Sequence, residues 1–347
     1  MAVTLLDELA LETNNMRKGI IQALVEQVML QDKLTWENTG ALQLPVTYLS
    51  GVPTVPLRHI NEAPAGVSAS FAQMVEPLQI IDTDIDIDPV LVAIKNQVTS
   101  IEVAQTKAVV ASIGYRVNDL FVNGDPAVDA REPLGLKVRL RDDLRLAGQT
   151  VNATTNTTEL DFSPDGTDAA KYACLNRIDE LFATVEDKPS FMLVGRQFRL
   201  AFWAALRQLK LFASVKDQYE REVATYRGCP IIDPGYKPAA AITGSADALH
   251  ADTNQIIGFD ADIFTAGADP GVGGGANAYA VGASTVYVAR VGSEYLLSLQ
   301  LEPMRVKALG ETEAAPHYVR TNIRWVISPV APLQKRCAGR LVGVAVT

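Results

Sequence analysis

Three histidines, three cysteines and a run of alternating aspartates are the residues of this chain that could support catalysis or hold a metal. His59, His250 and His317 stand alone in the sequence. None belongs to a His-Glu-X-X-His pair, and no Gly-X-Ser-X-Gly elbow presents an exposed nucleophile. Cys229 and His250 can be drawn as a thiol and its base, but Pro230 and the apolar run beyond it make Cys229 read as a small buried hydrophobe. Cys174, Cys229 and Cys337 are widely separated and odd in number, which fits free thiols in a reducing compartment rather than a disulfide framework or a zinc site.

From Ile81 to Asp88 the chain alternates strictly, placing Asp82, Asp84, Asp86 and Asp88 on one face of a strand. A calcium loop begun at Asp82 needs Gly at its sixth position and Glu at its twelfth, where the chain has Ile87 and Ala93. Successive carboxylates on a strand also stand about 7 Å apart, too wide to share one small ion easily. The strand is therefore expected to present an acidic face that is solvated or meets a basic neighbour. The glycines of Asp269 to Ala276 lack the Gly-Lys-Ser/Thr ending of a phosphate loop and the helix start of a dinucleotide fingerprint, so they read as a flexible surface loop. No catalytic residue, cofactor or metal is expected, and the chain reads as a non-enzyme.

The 347 residues are 48% hydrophobic and 20% charged, enough apolar material for one large domain or two smaller ones. A formal charge of -9 disfavours a protein that grips phosphates, because such proteins concentrate Lys and Arg. Nucleic acid nearby would be enclosed rather than clamped. Met1 to Ala10 has no basic region before its apolar positions, and no apolar run approaches the roughly 18 residues of a membrane helix. Synthesis in a bacterial cytoplasm is expected, with Asn152 and Asn156 as ordinary loop residues.

The elements that would carry these residues follow from periodicity. Thr4 and Asp7 resemble a capping box, and Ile20, Ile21, Leu24, Val25, Val28 and Met29 recur at helical spacing, giving an amphipathic N-terminal arm that packs on its own domain or on a neighbouring chain. Between Trp36 and Ile87 the sequence turns strand-like, with Pro53, Pro56, Pro64 and Pro77 confining those strands to edges or to an extended hairpin. A stretch this long without a core of its own is usually functional, and here it reads as a two-stranded arm lying on another subunit.

Asp88-Pro89 then starts a helix. Leu91, Ile94, Val98, Ile101, Ala108, Ala111 and Tyr115 form one stripe, with Val110, Ile113, Val117 and Leu120 beside it, before Asn123-Gly124 stops it. Such a spine would span about 50 Å and pack across a sheet rather than as a coiled coil. Further elements are a short helix within Gly135 to Leu146, helices over Thr167 to Thr184 and Gly195 to Leu211 around the buried strand Phe191 to Val194, and a strand at Cys229 to Ile232. Closing strands are expected at Val286 to Val291, Tyr295 to Leu301, Arg305 to Leu309, Tyr318 to Ile327 and Leu341 to Val346.

Taken in order, these parts resemble the α+β subunit of the Hong Kong 97 (HK97-like) fold found in major capsid proteins of tailed bacteriophages. Phe121 to Pro126 followed by Pro133 to Leu136 is similar to the segment leaving the spine helix in that family. Tyr226 to Asp233 is similar to its axial-domain strand, and Val286 to Val291, Gly310 to Glu313 and Tyr318 to Trp325 to its closing strands. The resemblance implies an N-terminal arm over 1–35, an extended loop over 36–87, the spine helix and part of the peripheral domain over 88–160, an α/β axial domain over 161–285 and peripheral closing strands over 286–347.

It also implies a structural protein that assembles into hexamers and pentamers of an icosahedral head enclosing double-stranded DNA, located in the virion. Implied partners are a portal, decoration proteins and a separate scaffolding protein, or no scaffold at all. An encapsulin-like nanocompartment shell is the alternative on the same fold. Arg58, His59, Glu62 and Phe71 are the expected inter-subunit contacts of the loop. No lysine lies between Lys33 and Lys95, so the lysine-to-asparagine crosslink of some family members is expected to be absent.

Overall fold

The computed structural model describes residues 29–51, 53–93, 101–142, 150–152, 162, 167–211, 213–216, 222–237, 255–257, 283–311, 317–334 and 336–345. Residues 1–28 of the N-terminal arm, the glycine run of 269–276 and the Asn-X-Thr triplet at Asn156 lie outside them. Two sheets and one long helix make up the body.

The first sheet contains β1 (Trp36–Asn38), β4 (Gln79–Ile87), β11 (Leu296–Gln300), β12 (Arg305–Glu311) and β13 (Val319–Pro332). β13 is its axis: β4 runs antiparallel along one side, β11 and β12 lie antiparallel along the other, and β1 adds to β11 in parallel. β13 continues five residues beyond the expected end at Ile327. Pro329 and Pro332 are accommodated because only one neighbour, β11, flanks that end. Trp36 and Trp325 pack against each other in the core, ring centroids 4.8 Å apart.

The second sheet has the order β5 (Thr150–Asn152), β14 (Ala338–Ala345), β10 (Ala283–Ala289), β6 (Phe191–Leu193), β9 (Cys229–Ile232), β8 (Glu222–Tyr226), β7 (Ala213–Lys216). Phe191 and Leu193 join one apolar cluster while Met192 and Val194 join another, and Tyr287 and Ala289 alternate in the same way with Val286 and Val288. A sheet buried on both faces needs continuous apolar strands, which is why Phe-Met-Leu-Val reads as it does. One face is covered by α5 (Asp168–Thr184), capped by Thr167, and α6 (Arg196–Gln208) through Leu175, Ile178, Phe198 and Phe202. The hairpin β7–β8 has no counterpart in the expected strands. Its second strand, β8, turns into β9 through Arg227 and Gly228, both at positive φ, the geometry of a tight primed turn.

The closing strands therefore split. β11, β12 and β13 build the first sheet, whereas β10 and β14 belong to the second, because β10 pairs with β6 and β14 with both β10 and β5. Which sheet a strand joins depends on a distant partner, and periodicity carries no information on that choice.

The helix between the sheets is α3 (Ile101–Asn123), preceded by α2 (Pro89–Ala93), with residues 94–100 outside the description. Its 23 residues span about 35 Å. The stripe it buries is Val110, Ile113, Val117 and Leu120, together with Phe121; Ala108, Ala111 and Tyr115, expected to lead, are exposed or half-buried, and Leu91 is exposed. α3 is fixed by polar ties as well: Asn118 accepts from Gln31 of α1 (Met29–Lys33) and donates to the Pro234 carbonyl, and Asn123 donates to the Ile256 carbonyl. The short helix α4 (Leu136–Asp142) follows the tight crossing of Gly124 and Gly135.

Candidate assembly interface

β2 (Gln43–Gly51) and β3 (Ser70–Pro77) pair antiparallel and, among the described residues, with no other strand. The hairpin is shorter than the 36–87 segment expected to project. Trp36–Asn38 and Gln79–Ile87 at its two ends are built into the first sheet, because their apolar residues Trp36, Ile85 and Ile87 supply core. One hairpin face carries Leu44, Val46, Met74 and Glu76, the other Phe71, Gln73 and Val75, as the two-residue period requires.

The root is clamped. Glu76 and Arg139 of α4 form a two-point ion pair with both side chains about 1% exposed, and Arg139 also donates to the carbonyls of Leu134 and Val330. Leu78 next to it is buried with Leu297, Leu299, Val326 and Ala331. A fully desolvated, geometrically fixed pair of this kind resists rotation of the strand that carries it.

The tip is bare. Residues 54–68 are all exposed, with Leu57 at 100% and Ile60 at 94%, and Phe71 on β3 is 69% exposed. Of the four expected contact residues, Arg58, His59 and Glu62 come together in one turn. The Glu62 carboxylate accepts from the His59 backbone N–H at 2.8 Å, Arg58 donates to the Glu62 carbonyl at 2.8 Å, and Asn61 takes positive φ. The Arg58 guanidinium, the Glu62 carboxylate and the His59 backbone are thus used in shaping the turn. Phe71 lies apart from them, opposite Leu49 on the hairpin. Sequence reading missed the apolar tip residues Val55, Leu57 and Ile60, although three apolar side chains among four prolines and glycines of a loop were a visible signal.

The acidic strand meets a basic one. Asp82, Asp84 and Asp86 of β4 stand opposite Arg324, Asn322 and Arg320 of β13. Arg320 grips Asp86 at 2.6 and 2.7 Å, Arg324 binds Asp82 at 2.8 and 2.9 Å, and the Asn322 amide bridges Asp82 and Asp84 at 2.7 Å each. These partners hold the Asp82 and Asp86 carboxyls below the ordinary value of 3.8, Asn322 being the largest cause at Asp82 and Arg320 at Asp86.

Cys174, Cys229 and Cys337 are all buried free thiols, and burial pushes Cys229 up to about 12. Among the described residues no group of three or more His, Cys, Asp or Glu is placed to hold a metal, and no helix is long and apolar enough to cross a membrane.

No protein-family model matches the chain, and no curated protein matches it in sequence. Solved structures do. The encapsulin of the holo-SrpI complex from Synechococcus elongatus PCC 7942 matches with a TM-score of 0.57 at 16% identity, over 90% of this chain and 86% of that one. The capsid of a native GTA particle matches with a TM-score of 0.54 at 12% identity, over 93% and 90% of the two chains. The capsid of the Myoviridae phage XM1 matches with a TM-score of 0.54 at 12% identity, over 91% of each. Two of the three are capsids and the third is an encapsulin, and each match runs over 90% or more of this chain: this chain has the Hong Kong 97-like capsid fold.

Proposed function

We propose that this chain is a structural subunit, not an enzyme: the major capsid protein of a tailed bacteriophage, assembling as hexamers and pentamers of an icosahedral head around double-stranded DNA. The observation that carries the reading is the hairpin with a clamped root and a bare apolar tip. Solvent-exposed Leu57 and Ile60 on a firmly held arm have no role within one protomer, whereas burial against an adjacent copy would stabilise the contact by roughly 25 cal/mol per Å² of apolar surface covered. The body of the next subunit is the proposed receptor, through a heterologous contact that closes into rings. Phe71, Val55, Leu57 and Ile60 would bury the apolar area, while Arg58, His59 and Glu62 hold the turn. Such contacts are expected in or above roughly 1,200 to 2,000 Å² each. The virion, assembled in a bacterial host's cytoplasm with a portal, decoration proteins and a separate scaffold, is the proposed setting.

A second reading, an encapsulin-type nanocompartment, is favoured by one observation: the encapsulin match carries a higher TM-score than either capsid match described above. Particle contents separate the two, nuclease-protected DNA for a head and a protein cargo for a compartment.

The test replaces residues 52–69 by Asn-Gly. Gly51 and Ser70 are the last paired residues of the hairpin, beyond the register shift between Leu49 and Gly51, so a two-residue primed turn is the length that joins them. The variant is expected to fold and to remain unassembled by sizing and negative-stain imaging, where the unaltered chain gives shells. Normal shells from the variant would refute the role of the tip.

A further inference from the structure

β4, β13 and β12 form a three-stranded ribbon whose two outer edges are unpaired among the described residues. On its solvent face the rows are Asp82–Arg324–Arg305 and Asp84–Asn322–Lys307, read from β4 across β13 to β12. The central column is consumed by the acidic one, through the Arg320–Asp86, Arg324–Asp82 and Asn322–Asp84 contacts. Arg305 and Lys307 are left over: both are exposed, with no ion pair or hydrogen bond among the described residues. They border a cleft of about 470 Å³ that holds three cations, Arg305, Lys307 and Arg324, against two carboxylates, Asp82 and Asp84. Asp84 in turn is the least satisfied carboxylate of β4, accepting from Asn322 alone and lying 3.7 Å from Arg320.

We propose that the basic edge of β12 receives the acidic edge of β4 from a second copy of this chain, Lys307 and Arg305 pairing with Asp84 and Asp82 of the neighbour. The proposal rests on the shell reading and assigns a contact distinct from that of the hairpin. Both edge strands run antiparallel to β13, so they run in the same direction as each other, and a copy set alongside brings β4 against β12 with unlike columns facing. A like-to-like contact of two β12 edges would instead oppose cation to cation, which costs several kcal/mol and excludes that arrangement. The contact is thus head-to-tail and repeats around an axis. Beyond Val306, β12 is exposed on both faces, and no other residue described here covers it. Charges on an edge strand can also serve only to keep it from pairing, and the test separates that role from a contact.

Equal amounts of light and isotopically heavy full-length chain are mixed, concentrated and treated with a carbodiimide, which joins an amine and a carboxylate in contact as an amide. The expected product is an amide between Lys307 of a light chain and Asp84 or Asp82 of a heavy one, found by mass spectrometry and lost in about 1 M salt, where the screening length is about 3 Å. Its absence from a concentrated mixture at low salt overturns the proposal. Shells without the link overturn the contact and leave the shell reading standing, and the link without shells does the reverse. In a second measurement, Arg305→Glu with Lys307→Glu is expected to reduce association roughly tenfold or more, and adding Asp84→Lys to recover it. The neutral pair Arg305→Gln with Lys307→Gln, whose parent side chains are exposed and make no ion pair or hydrogen bond among the described residues, guards against misfolding and should give a smaller loss in the same direction. Unchanged association of a folded reversed variant means that the charges only protect the edge, and the proposal falls.

Discussion

Arg139 and Glu76, 63 positions apart, meet at 2.6 and 3.1 Å with both side chains buried, and the same guanidinium reaches the Val330 carbonyl at 2.8 Å. One side chain thereby ties three elements: α4, the root of the hairpin on β3, and the far end of β13. Two buried charges give little net stability, since desolvation offsets their attraction, but they fix direction, and the direction of the hairpin decides where its tip arrives.

Removing one partner leaves a buried uncompensated charge. Arg139→Met is expected to lower the unfolding free energy by about 3–5 kcal/mol, and Arg139→Met with Glu76→Leu by much less. Urea unfolding of the three chains measures this. Equal losses in the single and double variants would show that packing, not charge, holds the root.

Gly124 and Gly135 cross so closely that the Gly135 N–H donates to the Gly124 carbonyl at 2.8 Å. A side-chain carbon at Gly135 would sit 2.6 Å from the Gly124 nitrogen, and one at Gly124 would sit 2.7 Å from the Leu120 carbonyl oxygen and closer still to that of Pro133. These obstacles are backbone, which cannot swing aside. Gly135→Ala is expected to cost about 2 kcal/mol or more, read as a fall in thermal midpoint. The two glycines belong to the segment whose wording resembles the capsid family, so the crossing gives that motif a physical cause.

The carboxyls of Asp82 and Asp86 titrate below 3.8 in the folded chain. A lowered folded value means stability that is present above the unfolded value and lost as pH falls through the folded one. Asp86→Asn should therefore be slightly less stable than the parent at neutral pH, and the difference should close as pH drops below 3.8. Both groups are exposed, so the gap is small and shrinks with salt. Urea midpoints of the two chains between pH 6 and pH 2, about two units either side of 3.8, check the sign.

Cys229 should resist thiol reagents in the folded state, because burial holds it protonated to about 12 and no thiolate forms at neutral pH. A raised thiol value also means that stability falls as pH rises above 9, the ordinary value, toward 12. Labelling is expected to be slow at pH 8 and fast in denaturant; rapid modification of Cys229 in the folded chain would contradict its placement in the core.

Local periodicity made much of this fold legible. The four apolar residues from Phe191 to Val194, the helix after Thr167 and the acidic alternation of β4 each lie where their spacing puts them, since each pattern is enforced by a face that its own residues bury. What could not be read is non-local. Nothing near Glu76 marks it as the partner of Arg139, and of the two candidate stripes of α3 only one is buried, a choice set by the distant elements that pack on it. The site was half legible for a related reason: Pro-rich composition exposes the hairpin's loop, but Arg58, His59 and Glu62 attract attention as polar residues while their hydrogen bonds turn inward to the loop itself. The apolar residues around them are the ones left facing solvent.

That contrast gives the last prediction. Leu57→Ser with Ile60→Ser removes two side chains that are 100% and 94% exposed and touch little in the protomer, so unfolding free energy should stay within about 0.5 kcal/mol of the parent. Solubility of the unassembled chain should rise, because a bare apolar tip is an association hazard. If the tip is buried in a neighbour, each lost side chain removes about 1.5–3 kcal/mol from every contact that repeats it, and assembly should shift to markedly higher protein concentration. Glu62→Ala works differently: it frees the His59 N–H and loosens the turn without removing apolar area, so its effect on assembly should be the weaker of the two. Light scattering against concentration for the parent and both variants measures the order. A larger effect from Glu62→Ala than from the apolar pair would mean that a charge on the tip, rather than its hydrophobic surface, makes the contact.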